Sequence, residues 1–515
     1  MKYINNKIFI AIALLVSIAG CKKNLEINKN PNSVTESNIT AELILPNSLN
    51  GVGVQTALGY GWLNNWIGYW SPSGSYAPNT EESTYNLTAS FGEGKWDGIY
   101  NVLFDLNNVE QRSKPDTSKA YFVGIAKILK AHLFQNLVDI FGNVPYTQAF
   151  NSAQNPAPAY DKAQDIYVDL QKQLDSAITI LKTKKVPSTA KKIDIVFYGN
   201  STKWIKLANT LKLRILLRQS EVAGFNAAAE IAKIQANGAG FLMSGESAEV
   251  NPGTYDESKS PALAPGYVND IGKQNPYFAT YGLQPNGTPA NEYYRANNYL
   301  INVLKNNNDP RLGYFFAKAS ALATAPDPYI GTIYGANTDD NYSGTRTSNI
   351  GPGLVKSYNQ SQWIVTSIES LFLQAEAVAR GWISGNDSTA YATAVKESFI
   401  WLGIPNAITL AENYLASASN AKWSNAGSTP MEHAKFIVNQ KYIALTGINP
   451  LEAWNDYRRL GVPSNVPLSV NPARGSRVIP VRLPYPASEF AVNSTNVQAQ
   501  GNNDYQTTRI FWDVQ

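Results

Sequence analysis

The side chains best suited to catalysis are few: one cysteine, Cys21, and two histidines, His132 and His433, in 515 residues. A zinc site built from histidine and cysteine needs three or four ligands, so none is predicted. Either histidine could serve in a Ser-His-Asp triad, but no G-x-S-x-G, P-loop or G-x-G-x-x-G segment is present. Structural roles for both histidines are therefore favoured.

Carboxylates leave two further possibilities. A glycoside hydrolase needs only two carboxyl groups about 5–9.5 Å apart, a condition that sequence spacing does not test. The segment NTDDNY, Asn337–Tyr342, offers oxygen ligands for calcium but lacks the spacing of an EF-hand loop. We interpret it as a polar turn, and we predict no metal site and no cofactor.

Aromatic residues are the most informative group. The segment GYGWLNNWIGYW holds five of them, and Trp62, Trp66 and Tyr69 share a helical spacing that predicts burial in the core. Trp70 directly precedes the segment SPSG at the end of this helix, so Trp70 and the aromatic residues of the following loops are predicted to reach the surface. Tyrosine and tryptophan combine a flat apolar face with a polar edge. A sugar ring has complementary C–H faces and hydroxyl groups, so the set predicts glycan binding.

The N terminus has the layout of a secretory signal peptide. Lys2 and Lys7 precede an uncharged run, Ile8–Gly20, which ends in two small residues. A membrane-spanning helix needs about 20 apolar residues, and this run is shorter. The sequence Ile-Ala-Gly-Cys that closes it resembles the lipobox of bacterial lipoproteins. The resemblance implies that Cys21 carries a diacylglyceryl group and becomes an acylated N terminus, which anchors the protein to a membrane.

Composition excludes one class of partner. The formal net charge is +4 and only 16% of residues are charged, so nothing predicts the basic face of a nucleic-acid-binding protein. Hydrophobic residues make up 44% of the chain, enough for a large core.

Amphipathic helices are predicted in the first half of the chain and again after residue 366. Apolar residues recur every three or four positions in Tyr121–Phe141 and Asp165–Leu181, Trp204–Arg218 is apolar on more than one side, and the spacing of three or four returns in Ser367–Trp382. Asp161 followed by Gln164 predicts a capping box for the second of these helices, and Gly381 predicts the end of the fourth. Successive amphipathic helices are similar to tetratricopeptide helix pairs, although no strict 34-residue period is present.

Residues 251–362 differ from the rest. Gly, Pro and Asn supply 36 of these 112 residues, and 12 of the 29 tyrosines of the chain fall here. Long helices are not expected in such a stretch. Because disordered segments are poor in aromatic residues, an ordered lobe built from loops is predicted.

Several segments occur in the order known from one protein family. Together they resemble the SusD/RagB-type nutrient-binding lipoproteins of Bacteroidota, with the SusD-like branch as the best fit. The segments are LEINKNPN, KILKAHLFQNLVDIFGNVPYTQAF, DIYVDLQKQLDSAI, DPRL, SIESLFLQAEAVARG, IVNQKYIALTGINPLEAWNDYRRLGVP and RVIPVRLPYPASE.

The resemblance implies a mainly α fold: a tetratricopeptide-like superhelix of helix pairs, a second irregular lobe rich in loops, and a few short strands. It also implies a lipoprotein of the outer membrane that faces the cell exterior and works with a SusC-type TonB-dependent β-barrel transporter. The expected ligand is an oligosaccharide, or a peptide as in some relatives, and no catalysis is expected. A lipid-anchored glycoside hydrolase and a structural surface lipoprotein without a ligand are the alternatives.

This reading divides the chain into a signal peptide (1–20), a lipidated tether (21–40), a helical lobe (41–250), a loop-rich aromatic lobe (251–362) and C-terminal helices with an extended tail (363–515). In the family, aromatic residues on loops contact the ligand, which implies the same regions here. Glu452, Asp456, Arg458 and Arg459 are interpreted as a local ion-pair network. The predicted ligand-binding residues are Trp70, Tyr76, Asn79, Trp96, Tyr277, Tyr281, Tyr293, Tyr294 and Tyr334.

Overall fold

The computed structural model describes residues 39–252 and 266–515. The predicted signal peptide, the lipidation site Cys21 and the tether as far as residue 38 lie outside the described residues. The structural statements below concern the two described ranges.

Long helices dominate the first range. Apolar residues three or four positions apart lie on one buried face of a helix. In the helix Ala163–Thr183, for example, Ile166, Leu170 and Leu174 are all buried, as predicted. The helices are α1 (Ala41–Ala57), α2 (Gly61–Trp66), α3 (Thr80–Thr84), α4 (Glu93–Ser113), α5 (Ala120–Phe141), α6 (Ala163–Thr183), α7 (Ala190–Ile193), α8 (Ser201–Arg218) and α9 (Ala228–Asn237).

In the second range, the helices are short up to residue 362, longer from Ser367 to Leu460, and short again after that. The longest described helix between 266 and 362 has nine residues, which agrees with the prediction for this stretch. The helices are α10 (Pro276–Tyr281), α11 (Asn298–Asn306), α12 (Leu312–Phe315), α13 (Ser367–Ala379), α14 (Asp387–Trp401), α15 (Ala407–Ser417), α16 (Pro430–Ala444), α17 (Pro450–Leu460), α18 (Ala487–Val492) and α19 (Ser494–Gln498).

The described residues contain three short antiparallel strand pairs. The strands are β1 (Trp70–Pro72) with β5 (Tyr294–Ala296), β2 (Val144–Pro145) with β3 (Tyr160–Asp161), and β4 (Ala248–Val250) with β6 (Gln362–Val365). Two of the pairs, β1–β5 and β4–β6, join the helical first half to the loop-rich stretch or its end. The loop-rich stretch is thereby fixed onto the helical frame.

The long helices pack in succession. Helix α4 packs on α5, α5 on α6, and α6 on α8, and the series continues through α13 to α14 and α16. One hydrophobic core runs through these layers from Leu45 in α1 to Trp512 near the C terminus. The predicted fold class, mainly helical with tetratricopeptide-like pairs and a few short strands, is confirmed.

The predicted capping box at α6 is wrong. Lys162 is the N-cap residue and makes no side-chain capping bond. The Asp161 carboxylate instead accepts hydrogen bonds from the backbone N–H groups of Tyr146 and Thr147, both at 2.9 Å. Asn143 Oδ1 caps the helix from outside by accepting from the N–H of Ala163 at 2.8 Å. A capping box does begin α16, where Thr429 and Glu432 satisfy each other's backbone groups.

A buried ion-pair network, which we call the core network, joins five helices. Arg218 pairs with Asp139 and Glu452, and Arg214 pairs with Glu369 and Glu452. Lys441 pairs with Glu452 and Asp456, and Arg459 pairs with Asp456 and Glu376. These side chains come from α5, α8, α13, α16 and α17.

The prediction of an ion-pair network around Glu452 is therefore confirmed in kind, but the network is not local. Arg458 also differs from the prediction. Its guanidinium donates to the carbonyl oxygens of Val481 and Asp139 and lies 3.5 Å from the Trp454 ring centroid, with no carboxylate partner among the described residues.

Candidate functional site

The β1–β5 pair places the accessible aromatic residues. Beyond β1, the Ser73 N–H donates to the Tyr293 carbonyl and the Gly74 N–H donates to the Tyr342 carbonyl, both at 2.7 Å. A Cβ atom on Gly74 would lie 2.2 Å from the carbonyl oxygen of Asp339, so only glycine fits this contact. The loop that carries Tyr76 is thereby fixed against two loops of the second range.

Six of the predicted residues form one series of ring contacts, which we call the aromatic chain. Tyr76 contacts Tyr293 with ring centroids 5.6 Å apart, and Tyr293 contacts Tyr294 at 5.0 Å. Tyr294 then lies 5.4 Å from Trp70 and 5.9 Å from Tyr281. The series ends inside the protein, where Tyr281 contacts Tyr277 at 4.8 Å.

Only one end of the aromatic chain is accessible. Tyr76 is 40% exposed, and Tyr293 and Tyr294 are half-buried. Asn79, also exposed, is the N-cap residue of α3 and accepts from the Glu82 N–H at 3.0 Å through its side-chain oxygen. Its amide nitrogen stays available beside the rings. We call Tyr76, Tyr293 and Asn79 the rim.

The prediction that Trp70 reaches the surface is wrong. Its side chain is fully buried, because β5 covers one edge of its strand and the ring packs 5.0 Å from that of Tyr281. Tyr281 and Tyr277 are buried beneath it, and Tyr277 donates to the Gly447 carbonyl oxygen at 2.9 Å. These three side chains support the rim from below and do not offer a face to a ligand.

Trp96 and Tyr334 are buried as well and lie outside the aromatic chain. Trp96 packs between the rings of Phe141, 5.0 Å away, and Tyr160, 6.2 Å away. Tyr334 donates to Glu82 Oε1 at 3.1 Å. Both residues were predicted to bind a ligand, and their burial shows that core packing uses these rings instead.

Sequence reasoning missed two residues near the rim. Tyr342, 38% exposed, lies in the segment interpreted as a polar turn, and its carbonyl fixes Gly74. Glu82 is a buried carboxylate on α3 that accepts from Asn65 Nδ2 at 2.7 Å. The spacing of Asn79 to Glu82 could have suggested a helix start, but nothing local indicates that this carboxylate is buried.

Glu82 makes the region below the rim sensitive to pH. Burial raises the pKa of its carboxyl group to about 7, although hydrogen bonds from Asn65 and Tyr334 oppose the shift. The pKa of Glu82 in the folded state exceeds its ordinary value of 4.5. Protonation of Glu82 therefore stabilises the fold fully below pH 4.5, and this stabilisation is lost as the pH rises through about 7.

Glu82→Gln is therefore expected to increase the free energy of unfolding at pH 8 by about 2–3 kcal/mol, because glutamine resembles the protonated acid. At pH 4 the variant and the parent should be nearly equal. Urea unfolding at both pH values checks this, and an equal difference at pH 4 and pH 8 would contradict it.

The histidines have structural surroundings. His132 is buried and its ring nitrogens contact Thr56 Oγ1 and Arg214 Nη2, each at 2.8 Å. Burial first, and then Arg214, hold the pKa of His132 well below its ordinary range. His433 contacts Asp387 Oδ2 at 2.7 Å and the Gly427 carbonyl oxygen at 3.3 Å. Neither ring contacts a serine or cysteine among the described residues.

Within residues 39–252 and 266–515, no group of three or more His, Cys, Asp or Glu side chains is arranged to hold a metal ion. In the same two ranges, no helix combines the length and the apolar character needed to cross a lipid bilayer.

Known structures share this fold. A chitin-binding protein is 23% identical with a TM-score of 0.72, and the match covers 92% of this chain and 99% of that one. A SusD homologue from Bacteroides fragilis is 22% identical with a TM-score of 0.72 and coverage of 92% and 99%. A chitin-binding SusD homologue from Flavobacterium johnsoniae is 22% identical with a TM-score of 0.71 and coverage of 91% and 98%.

A family comparison gives the assignment. No curated protein sequence matches the chain significantly. Residues 31–486 match the model of a SusD-like family described as starch-binding and associating with the outer membrane. This match covers most of the chain, and the fold agrees with that of solved SusD homologues. The chain therefore belongs to the SusD-like family.

Proposed function

We propose that this protein is a surface lipoprotein that binds a glycan at the rim and delivers it to a SusC-type TonB-dependent outer-membrane transporter. The description of the family as starch-binding supports a glycan ligand, and two similar structures are described as chitin-binding. Starch and chitin are both uncharged or weakly charged polymers of sugar rings. The ligand class proposed here is accordingly a neutral oligosaccharide.

The exposed pair of rings on the rim carries this proposal. Tyr76 and Tyr293 lie with an interplanar angle of 64°, so they offer two faces of different orientation to a curved chain of sugars. Burial is the main cause that raises the pKa of Tyr293 to about 12, and the phenol therefore stays protonated and can donate a hydrogen bond at neutral pH. Asn79 adds a neutral amide beside it.

The rim is also rigid. The buried rings of Trp70 and Tyr281 support Tyr294, and Tyr294 supports Tyr293. A platform that is ordered before binding loses little conformational entropy when a ligand arrives. This arrangement suits capture and release, and we propose no catalytic step for it.

The anchor and the partner are proposed on separate grounds. The lipobox-like sequence ending at Cys21 supports lipid attachment, and the family description supports association with the outer membrane. Mass spectrometry of the protein from its native membrane should find Cys21 acylated at the N terminus. Gentle detergent extraction should co-purify a β-barrel transporter.

Removing the two rim rings is expected to weaken binding at least tenfold, about 1.4 kcal/mol, since aromatic anchors carry a large share of binding energy. The variant is Tyr76→Ala with Tyr293→Ala. Titration calorimetry with a panel of oligosaccharides from starch, chitin, xylan and mannan measures the effect.

A matched control is Tyr358→Ala. Tyr358 is 38% exposed, close to the 40% of Tyr76, but it is not part of the aromatic chain. Its affinity should equal that of the parent. Equal affinity in the rim variant would refute the rim as the binding site.

Three other outcomes would favour the alternative functions. Release of product sugars would favour a hydrolase, and binding only to a peptide array would favour a peptide ligand. Co-purification of a barrel without binding of any ligand would favour a structural role.

A further inference from the structure

Apart from the rim, a cleft of about 280 Å³ lies between α11, α16 and the segment that follows α17. We propose that it is a separate subsite that binds one neutral sugar ring, an inference that rests on the proposed function. We call it the amide cleft. Its lining includes Tyr299, Asn307, Asn420, Phe436, Asn439 and Asn465.

The chemistry of the lining indicates a neutral ligand. Among the described residues, no Asp, Glu, Lys, Arg or His lines the amide cleft, whereas amide and aromatic side chains make up most of it. A larger cleft between α4, α5 and α6, about 550 Å³, differs sharply in its lining, because three lysines and two carboxylates line it. An uncharged wall of amides and rings matches the hydroxyl groups and C–H faces of a sugar.

The floor of the amide cleft is held rigidly from behind. Gln440 is fully buried, and its Oε1 accepts from Arg311 Nη2 at 3.0 Å. Its Nε2 donates to Tyr414 Oη and to the Asn420 carbonyl oxygen, both at 3.0 Å. Arg311 is itself paired with Asp309 at 2.6 Å. The buried ion pair of the DPRL segment thus orients the floor.

The mouth of the cleft carries unused hydrogen-bonding groups. Asn465 Oδ1 accepts from Tyr299 Oη at 2.8 Å, which leaves the Nδ2 of Asn465 free to donate. Asn420 Oδ1 accepts from Tyr414 Oη at 3.0 Å, which leaves its Nδ2 free as well. Asn439 is exposed and has no hydrogen-bond partner among the described residues. Three amides are therefore available at one opening.

Its volume suits a single ring. Ligand pockets usually measure roughly 300–1,000 Å³, and the 280 Å³ of this cleft is slightly less than the lower limit of that range. Half-buried Tyr299 and Phe436 supply apolar surface on two sides. The cleft thus has a size, a neutral lining and free amides that all fit one sugar unit better than a long chain.

The amide cleft and the rim lie at opposite ends of the β1–β5 pair. Tyr293 precedes β5 at the end where Pro72 faces Tyr294. Tyr299 follows β5 at the other end, where it contacts Gly68 so closely that a Cβ atom there would lie 2.9 Å from its ring. The two sites therefore use different side chains and can be altered independently.

The test uses the rim variant Tyr76→Ala with Tyr293→Ala as its background. Maltoheptaose and chitohexaose are the first probes, followed by any panel oligosaccharide that binds the parent. Calorimetry should find weak residual binding in the rim variant. Adding Asn439→Ala and Asn465→Ala should reduce this residual affinity at least tenfold, while adding Asn302→Ala, an exposed asparagine of α11 outside the cleft, should leave it unchanged.

The outcomes separate the two proposals. If the parent binds an oligosaccharide but the rim variant keeps no residual binding, or if its residual binding is insensitive to Asn439→Ala and Asn465→Ala, the amide cleft is not a subsite and the rim stands. If the parent binds no oligosaccharide of the panel, the proposed glycan function and the subsite both fail. Thermal unfolding of each variant should match its background, because both asparagines are exposed.

Discussion

Glu452→Ala is expected to lower the free energy of unfolding by about 3–5 kcal/mol, because it leaves buried cations without their shared carboxylate. Glu452 contacts Arg218, lies 3.5 Å from Lys441 Nζ and lies 3.9 Å from Arg214 Nε. After the substitution, Arg218 keeps only Asp139 among its carboxylate partners in the described part of the chain. All of these groups are almost completely removed from water, so solvent cannot replace the lost charge.

A surface ion pair provides the control for this prediction. Glu412 lies 2.7 Å from Lys396 Nζ, and the side chains of Glu412 and Lys396 are 56% and 32% exposed. Glu412→Ala should change the free energy of unfolding by only about 0–1 kcal/mol. Glu452→Gln separates charge from volume, and we expect it to destabilise nearly as strongly as alanine. Urea unfolding measures all three variants, and a Glu452→Ala protein as stable as Glu412→Ala would show that the core network does not stabilise the fold.

Trp70→Ala is expected to cost about 3–5 kcal/mol of stability, the usual range for removing a large aromatic side chain from a core. The ring of Trp70 is fully buried, and it contacts the rings of Tyr281 and Tyr294 and lies close to the backbone of Gly447. Its removal leaves a cavity that the rigid neighbouring strands cannot close.

Tyr76→Ala is the matched surface variant, and it should change stability by less than about 0.5 kcal/mol. The two variants thus distinguish a ring that supports the rim from a ring that contacts the ligand. Trp70→Ala should lower the stability of the protein, and it should lower glycan affinity only because the rim is disturbed. Tyr76→Ala should lower glycan affinity without lowering stability. Thermal unfolding and calorimetry on the same samples check this. A Trp70→Ala protein with parental stability and no glycan affinity would place Trp70 at the ligand after all.

Local patterns explain what the sequence could predict. The helix periodicity of Ile166, Leu170 and Leu174 and the burial of Trp62 and Trp66 depend on neighbours three or four positions away, and these predictions are confirmed. Features that depend on contacts with distant segments of the chain could not be predicted from local spacing.

Trp70 and Asp161 show why the remaining predictions were wrong. Trp70 is covered by a strand more than 200 positions later in the chain, so its burial leaves no signal in its own neighbourhood. Asp161 has the type and spacing of a capping residue, but the backbone of Tyr146 and Thr147 competes successfully for its carboxylate. Of the predicted ligand residues, Tyr76, Tyr293, Tyr294 and Asn79 are accessible because they lie on loops and at the start of a short strand.

The core network also constrains how the newly made polypeptide folds. Arg214 and Arg218 need Glu369 and Glu452, which lie 155 and 234 positions later, respectively. While the chain is still incomplete, these guanidinium groups must stay hydrated, because burying them alone is costly. Helices α5 and α8 therefore cannot pack tightly until the segment that carries Glu452 has been made, and this long-range dependence predicts slow, late folding.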